Sequence, residues 1–383
     1  MIEDKILIIK YWNMKTTRNV FCGLLLMLFA SCSAQTNLKD ATEDHFLFGV
    51  ALNTRQAAEQ NQVEAAIIKD HFSSIVAENC MKAAELQPEE GRWFFDDADR
   101  LVALGQKNKQ AIIGHCLVWH SQLPRWFTVD ENGNDVSPEV LKERMRTHIH
   151  TVMSRYKGKI HGYDVVNEAF NDNGTYRNSK FYQILGKDFI RLAFEYAAEA
   201  DPDAQLYYND YNMNLPKKCD AVVELVKELK AAGIRIDAVG MQGHMGMEGP
   251  SVEEFETSIN KLAGVGVKVM VTEWDISILP SPYHHTGANI ADRFRYSEEM
   301  DPYRQGVPAE VQAEWDARVL EMFDLFLKHS DVIDRVTVWG LSDGMSWKND
   351  FPMRGRCDYP LLFDRNNQAK PVIQKMIKLA NSK

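Results

Sequence analysis

Downstream of Asp40, short aliphatic and β-branched runs recur along the chain. Each run is followed by a polar loop and then by an amphipathic stretch of helical period. Uninterrupted apolar runs of this length, bounded by polar residues, predict β-strands. Eight such strands are predicted: Phe46 to Leu52, Ser74 to Glu78, Ala111 to Val118, Tyr163 to Asn167, Gln205 to Asn209, Ala238 to Gln242, Val267 to Thr272 and Val336 to Leu341.

The stretches between these runs carry apolar residues at helical spacing. Eight alternating strand and helix units predict an α/β protein with the (β/α)8 or TIM barrel architecture, which needs about 250 residues. No linker rich in Pro, Ser or Gly divides residues 32–383, so we expect a single domain there. The predicted helices are Gln56 to Asp70, Asp97 to Lys107, Pro138 to Tyr156, Phe181 to Ala200, Lys217 to Ala232, Val252 to Ala263, Pro308 to His329 and Gln368 to Ala380.

The N-terminal segment has a different pattern. Lys15 and Arg18 precede an apolar run over residues 20–30, and small residues follow it. This is the order of a secretory signal, and the run is too short to span a bilayer as a mature helix. We therefore predict that residues 1–31 are a targeting segment, with Met14 as a candidate start, and that the protein is exported.

The sequence Leu-Phe-Ala-Ser-Cys at residues 28–32 resembles a bacterial lipobox. In a lipobox the cysteine, here Cys32, is lipidated and becomes the new N-terminus. The segment therefore predicts a periplasmic or outer-membrane lipoprotein that contacts the membrane only through the lipid at Cys32. Soluble secretion after cleavage near Ala34 is the alternative.

The composition excludes several classes of protein. The chain has 383 residues, 45% of them hydrophobic and 26% charged, which is typical of a globular protein and not of collagen or a disordered chain. The net charge is −10 and no basic block is present, so nucleic acid is not expected as a partner. The six cysteines form no Cys-x-x-Cys pair, and His284 and His285 are adjacent rather than spaced as metal ligands. We expect no metal and no cofactor.

Two glutamates directly follow predicted strands. Glu168 comes directly after the fourth predicted strand and Glu273 directly after the seventh, and the active sites of such barrels lie at these strand ends. Cleavage of a glycosidic bond needs one protonated carboxyl to donate to the leaving oxygen and one carboxylate to attack the anomeric carbon. Because a like charge nearby raises the pKa of its partner, two such groups can divide these tasks without a metal.

The other strand-end residues are suited to binding a sugar. Trp119, Trp339 and Trp347 offer flat apolar faces, and polar side chains offer directed hydrogen bonds, which are the two surfaces that a pyranose ring requires. His244 precedes Glu273 and Asp275 on the next strand, which favours a role in orienting the nucleophile. The polar candidates are Asn79, Lys82, His115 and Gln122.

These segments resemble glycoside hydrolase family 10, the endo-β-1,4-xylanases, from about Phe46 to Lys378. The order of the segments along the chain is also that of the family. The motifs that carry the resemblance are residues 114–124 (GHCLVWHSQLP), 164–169 (DVVNEA), 208–212 (YNDYN), 240–244 (GMQGH), 271–275 (VTEWD) and 339–347 (WGLSDGMSW).

The resemblance implies a retaining endo-1,4-β-xylanase acting on xylan and xylo-oligosaccharides, with Glu168 as acid/base and Glu273 as nucleophile. Asn167 would donate to the 2-hydroxyl of the sugar being cleaved, and His244 and Asp275 would hold the nucleophile. Gln242 and Tyr211 would line the cleavage site. The glycone sugars would bind to Glu78, Asn79, Lys82, His115, Trp119, Gln122, Trp339 and Trp347.

Two alternatives remain open on the sequence. One is a barrel enzyme acting on β-1,4-glucan or mannan. Because xylose lacks the exocyclic CH2OH of glucose, a bulky side chain over C5 would discriminate sterically, and Trp347 is our candidate for it. The other is a glycan-binding lipoprotein without catalytic activity, which the intact pair Glu168 and Glu273 disfavours.

Overall fold

Parallel strands close into a barrel in the computed structural model, which describes residues 37–282 and 293–383. Each strand pairs in parallel with the next, and the pairings β9 with β1 and β6 with β8 close the ring. The predicted (β/α)8 barrel is confirmed, as a single domain. The barrel strands are β1 (Leu47–Leu52), β2 (Ser74–Ala77), β3 (Ala111–Trp119), β4 (Gly162–Asn167), β5 (Gln205–Asp210), β6 (Ala238–Met241), β8 (Lys268–Ser277) and β9 (Ile333–Val338).

A ninth short strand, β7 (His244–Gly246), lies just beyond β6. It pairs with the C-terminal half of β8, so that His244 is in register with Asp275. Strand β8 is longer than predicted because it supplies this second pairing after its pairing with β6. The extension carries Glu273 and Asp275 to the mouth of the barrel beside His244.

Helices surround the barrel and bury their apolar faces against the strands. Among the described residues, no helix combines the length and apolarity needed to cross a membrane. The helices are α1 (Leu38–Ala41), α2 (Thr54–Ala57), α3 (Gln62–His71), α4 (Ala83–Leu86), α5 (Asp96–Asn108), α6 (Pro138–Arg155), α7 (Lys180–Leu185), α8 (Asp188–Ala200), α9 (Pro216–Ala231), α10 (Val252–Gly264), α11 (Ala309–Lys328) and α12 (Val372–Ala380).

The first predicted helix, Gln56 to Asp70, is wrong because the chain forms α2 and α3 there. Asn53 caps α2, and Asn61 caps α3 by accepting hydrogen bonds from the backbone N–H groups of the new first turn. Between the two helices Glu59 takes a left-handed conformation with φ of 50°. A second N-cap residue inside an apolar periodic stretch therefore starts a new helix.

Two further helix predictions need correction. The predicted helix Phe181 to Ala200 is divided into α7 and α8 at Gly186, whose φ of 61° ends the first helix. The last helix begins at Val372 rather than Gln368, because Pro371 disfavours the helical conformation in the residue before it.

The interior of the barrel is filled by side chains. Trp339, at the start of the loop after β9, closes this inner layer towards the strand ends. Because Trp339 also lines the cleft at the strand ends, it lies between the packed interior and that cleft. The inner layer contains Ala51, Val76, Ile113, Tyr207, Ala238, Met270 and Trp339.

Candidate active site

A cleft of about 360 Å³ lies at the C-terminal ends of the strands. The structure brings nearly all of the predicted site residues together around it. From the predicted set, the lining residues are Glu78, Asn79, Lys82, His115, Trp119, Gln122, Asn167, Glu168, Gln242, His244, Glu273, Trp339 and Trp347.

Tyr211 and Asp275 belong to the predicted set but do not line the cleft. Asp275 lies behind His244 and contacts it directly. The hydroxyl of Tyr211 accepts a hydrogen bond of 2.6 Å from Arg177, and its ring lies beneath the ammonium of Lys218. Arg177 also donates to the backbone carbonyl of Glu168, so it links Tyr211 to the chain that carries this glutamate. Trp274 points outward and packs edge-on against Phe326, so it offers no sugar platform.

Glu168 directly follows β4 and is almost completely buried. Its carboxylate accepts hydrogen bonds from Nε1 of Trp119 at 2.9 Å and from Nε2 of Gln242 at 3.0 Å. Burial raises the pKa of Glu168, the charge of Asp210 adds to this increase, and the two hydrogen bonds oppose it. A raised pKa suits a general acid, because such a group must retain its proton to higher pH.

Glu273 lies on β8 and is held on both carboxylate oxygens. Oε1 accepts a hydrogen bond of 2.8 Å from Nδ2 of Asn209, and Oε2 lies 3.1 Å from Nε2 of His244. Burial alone would raise the pKa of Glu273, but the hydrogen bond and charge of His244, with contributions from His115 and Asn209, lower it below its ordinary value. Glu273 is therefore the ionised carboxyl.

His244 carries the charge that Glu273 needs. Its Nδ1 lies 2.9 Å from Oδ2 of Asp275, so the imidazole is placed between two carboxylates. Burial disfavours the imidazolium, but the two carboxylates outweigh burial and raise the pKa of His244. Trp347 completes this arrangement by donating a hydrogen bond of 2.9 Å from Nε1 to Asp275.

Asn209 is a site residue that the sequence prediction missed. Its Nδ2 donates to Oδ1 of Asn167 at 3.0 Å as well as to Glu273, and its Oδ1 accepts from the hydroxyl of Thr272 at 2.6 Å. It therefore ties β4, β5 and β8 together beneath the two carboxyls. An amide at the end of a buried strand is the signal that could have identified it.

One wall of the cleft is a network of polar side chains. The ammonium of Lys82 donates to Oε1 of Gln122 at 2.7 Å and to Oδ1 of Asn79 at 3.0 Å, and it lies over the ring of Trp119. Burial lowers the pKa of Lys82 and raises that of Glu78. These directed donors and acceptors beside an indole face are suited to hydroxyl groups.

The remaining aromatic residues of the cleft are fixed by their own partners. Nδ1 of His115 lies 2.8 Å from Oδ2 of Asp164, and the ring of His115 packs edge-on against Trp339. Trp347 stacks on Phe351, with ring centroids 4.6 Å apart.

Arg293, which the sequence prediction missed, also lines the cleft and lies over the ring of Phe351. It belongs to a loop after β8 that shows no strand or helix period, so no sequence signal marked it.

Within residues 37–282 and 293–383, no group of three or more His, Cys, Asp or Glu side chains is arranged to hold a metal ion. His284 and His285 lie outside the described residues.

Two buried carboxyls face one cleft at the mouth of a (β/α)8 barrel, Glu168 contacted by neutral donors and Glu273 by His244, which is the arrangement that a glycoside hydrolase requires. The chain belongs to glycosyl hydrolase family 10, whose model matches residues 37–379. It is 49% identical to endo-1,4-beta-xylanase A of Xylanibacter ruminicola, over 94% of this chain and 98% of that protein.

Solved structures of the same family have the same fold. A GH10 endoxylanase retrieved from sugarcane soil metagenome is 43% identical with a TM-score of 0.87, over 89% of this chain and 99% of that one. The intracellular xylanase of Thermoanaerobacterium saccharolyticum, solved as a mutant in complex with xylotriose, is 35% identical with a TM-score of 0.77. That likeness covers 88% of this chain and 97% of that one.

The role of His244 predicts a selective loss of activity at low pH. His244→Asn keeps a hydrogen-bond donor but removes the charge that lowers the pKa of Glu273. Activity rises with pH as Glu273 ionises, so raising its pKa moves the acid limb of the kcat/KM profile to higher pH, by ~1 to 2 pH units. The alkaline limb should stay in place. The profile is measured on an aryl β-xylobioside.

His150→Asn, on the outer helix α6, is the matched control and should leave both limbs unchanged. An acid limb that does not move in His244→Asn, or that moves equally in the control, would contradict the assignment of His244.

Proposed function

We propose that this chain is a retaining endo-1,4-β-xylanase that cleaves internal β-1,4-xylosidic bonds of xylan and xylo-oligosaccharides by double displacement. The observation that carries the proposal is the different environment of the two buried carboxyls: Glu168 accepts only from the neutral donors Trp119 and Gln242, whereas Glu273 is contacted by His244 and Asn209. The activity is that named for the relative of 49% identity, and the xylotriose complex of a related structure supports the substrate class.

In the first step, an oxygen of Glu273 forms a bond to the anomeric carbon of the bound xylose. The bond from that carbon to the glycosidic oxygen breaks, and the leaving oxygen takes the proton of Glu168. Nε2 of His244 and Nδ2 of Asn209 hold the attacking carboxylate in one orientation. The products are a covalent xylosyl-enzyme and a shortened chain.

In the second step, a water molecule attacks the same carbon from the face that the leaving group has left. Glu168, now ionised, takes a proton from this water, and Glu273 leaves as a carboxylate. Since the charge on Glu273 is lost while it is esterified, Glu168 can ionise more readily at this stage. The two carboxyls alternate roles, so the cycle needs water and no cofactor.

The polar wall explains how the glycone sugars would be held. Asn79, Lys82 and Gln122 form one hydrogen-bonded group, which is fixed before a sugar arrives and so loses little freedom on binding. Asn167 would donate to the 2-hydroxyl of the reacting sugar. Trp347 is held by its hydrogen bond to Asp275 and by its stacking on Phe351, and it remains our candidate for the bulky side chain over C5 that would favour xylose over glucose or mannose.

Export and lipidation are part of the same proposal. Residues 1–31 and Cys32 lie outside the described residues, so this step rests on the basic, apolar and lipobox-like order of the N-terminal sequence. The enzyme would act outside the cytoplasm, where polymeric xylan is accessible. It would be a periplasmic or outer-membrane lipoprotein, with soluble secretion as the alternative.

The acid role of Glu168 predicts a dependence on the leaving group. Glu168→Gln should abolish hydrolysis of xylan, because the sugar alkoxide that leaves needs a proton. An aryl xyloside with an acidic phenol should still give a burst of phenol as the xylosyl-enzyme forms. Glu273→Gln is the matched control and should lose both activities. Equal loss of the burst and of xylan cleavage in Glu168→Gln would show that another residue is the acid.

The double displacement predicts the configuration of the product. Proton NMR during hydrolysis of xylohexaose should show the β-anomer before mutarotation, and a 2-fluoro-xyloside should label Glu273. Retaining enzymes hold their carboxyls about 5–5.5 Å apart, so that direct attack is possible. Initial α-anomer, or a label on a different residue, would overturn the mechanism. A parallel reducing-sugar assay on xylan and carboxymethylcellulose tests the choice of polymer.

The lipobox predicts that one cysteine controls membrane attachment. Cys32→Ala, expressed in a lipoprotein-processing bacterium, should leave the enzyme active but release it from the membrane fraction and abolish labelling by palmitate. Cys22→Ala, in the apolar run, is the matched control and should remain attached. Equal membrane association of both variants and the parent would exclude lipidation at Cys32. Stable attachment needs more than one acyl chain, as in a lipoprotein.

A further inference from the structure

Asp210, at the end of β5, is a completely buried carboxylate that does not line the cleft. Its Oδ2 accepts a hydrogen bond of 2.5 Å from the hydroxyl of Tyr208, and its Oδ1 accepts from the backbone N–H of Tyr211 at 2.9 Å. The ammonium of Lys218, also completely buried, lies 2.8 Å from Oδ1. So many donors around one carboxylate indicate a group that is kept for its charge.

Tyr208 and Asp210 also hold the backbone next to Glu168. Glu168 takes a left-handed conformation with φ of 58°, which is unfavourable for a residue with a Cβ atom. The chain just after it is held by the side chains of β5. The backbone N–H of Ala169 donates to the hydroxyl of Tyr208 at 3.0 Å, and that of Phe170 donates to Oδ2 of Asp210 at 3.4 Å.

The chain on both sides of this conformation is therefore fixed. The N–H of Glu168 donates to the backbone carbonyl of Asn209 at 2.8 Å, and its own carbonyl accepts from Nε of Arg177 at 3.0 Å. Every contact that holds this backbone comes from β5 or from the loop after β4. Strand β5 thereby determines where the carboxyl of Glu168 points.

Asp210 also acts on Glu168 through its charge. After burial, its negative charge is the largest influence that raises the pKa of Glu168, ahead of Glu273. Lys218 balances part of this charge from α9, and the ammonium of Lys218 is shared with Asp172 at 3.3 Å. The other polar and titratable groups around Glu168, Asp210 and Lys218 are Gln242, Trp119, Lys82, Arg177, Tyr211 and His120.

We propose that Asp210 is a positioning residue for the acid/base: with Tyr208 it fixes the strained backbone of Glu168, and its buried negative charge assists Glu168 as the proton donor. This inference rests on the proposed role of Glu168 as the acid. The partners of Asp210 are Tyr208, Phe170, Tyr211 and Lys218, so we expect its effect on the reaction to pass through Glu168.

The test compares a variant that removes the charge of Asp210 with one that removes only the two hydrogen bonds of the Tyr208 hydroxyl. In Asp210→Asn the alkaline limb of kcat/KM on xylohexaose should move to lower pH by ~1 pH unit, because Glu168 loses its proton more easily. On that limb the activity should fall about tenfold, and the acid limb should stay in place. An aryl xyloside with an acidic phenol should be nearly unaffected, since its leaving group needs no proton.

Tyr208→Phe is the matched control, because it removes the hydroxyl that holds Asp210 and Ala169 but leaves the charge. It should lower kcat on xylohexaose and leave the alkaline limb unmoved. A uniform loss of activity in Asp210→Asn, without movement of the limb, would show that Asp210 is only structural and would overturn the electrostatic part of the proposal. Movement of the limb in both variants would overturn it as well.

Lys218→Met provides a second variant if Asp210→Asn does not fold. It removes the cation that balances Asp210, so the alkaline limb should move to higher pH, and an unchanged or lowered limb would contradict the proposal.

Glu168→Gln distinguishes a failure of the proposal about Asp210 from a failure of the proposed acid role of Glu168. If Glu168 is not the acid, Glu168→Gln will still cleave xylan. If only the inference about Asp210 fails, Glu168→Gln will be inactive on xylan while the limb of Asp210→Asn stays in place.

Discussion

The contacts of His244 with Glu273 and with Asp275 decide which carboxyl in the cleft carries the negative charge. Burial by itself would favour the neutral form of both Glu168 and Glu273, and two neutral carboxyls could not perform double displacement. One imidazolium, placed between two carboxylates, makes ionisation of Glu273 favourable in a nearly dry environment. His244 contacts Glu273 and not Glu168, so Glu273 is the carboxyl that ionises and Glu168 is the one left to act as the acid.

The barrel supplies the geometry that this contact requires. Strand β7 pairs with the extended end of β8, and the pairing brings His244 beside Asp275 and within reach of Glu273. Asn209 then links the nucleophile on β8 to Asn167, the residue before the acid. Because neighbouring strands hold these side chains at fixed spacing, the site is assembled before substrate binds, and little reorganisation remains for the reaction itself.

The two carboxyls are supported in different ways. Glu273 lies within β8, where the register with β9 shifts, and side chains that contact its oxygens determine its state. Glu168 follows a strand in a left-handed conformation, and hydrogen bonds to the backbone of residues 168–170 hold it in place. A nucleophile that must stay ionised is thus stabilised at its oxygens. An acid that must alternately give and take a proton is held through its backbone and is left with neutral donors at its carboxyl.

The barrel fold and the two glutamates at its strand ends could be predicted from the sequence, because both follow from the local pattern of apolar and polar residues. Apolar runs alternating with helical stretches indicate the barrel, and Glu168 and Glu273 are recognised by following predicted strands directly. Predictions from the local pattern failed where a stretch of helical period is divided into two helices. The division occurs at the N-cap residue Asn61 in one case and at Gly186, which has a positive φ, in the other. Only the tertiary structure revealed the contacts of Asn209, Tyr208 and Asp210, and the link from Tyr211 through Arg177 to the backbone of Glu168. These contacts join segments that are far apart along the chain, and no local spacing encodes which side chains closure of the barrel will bring together.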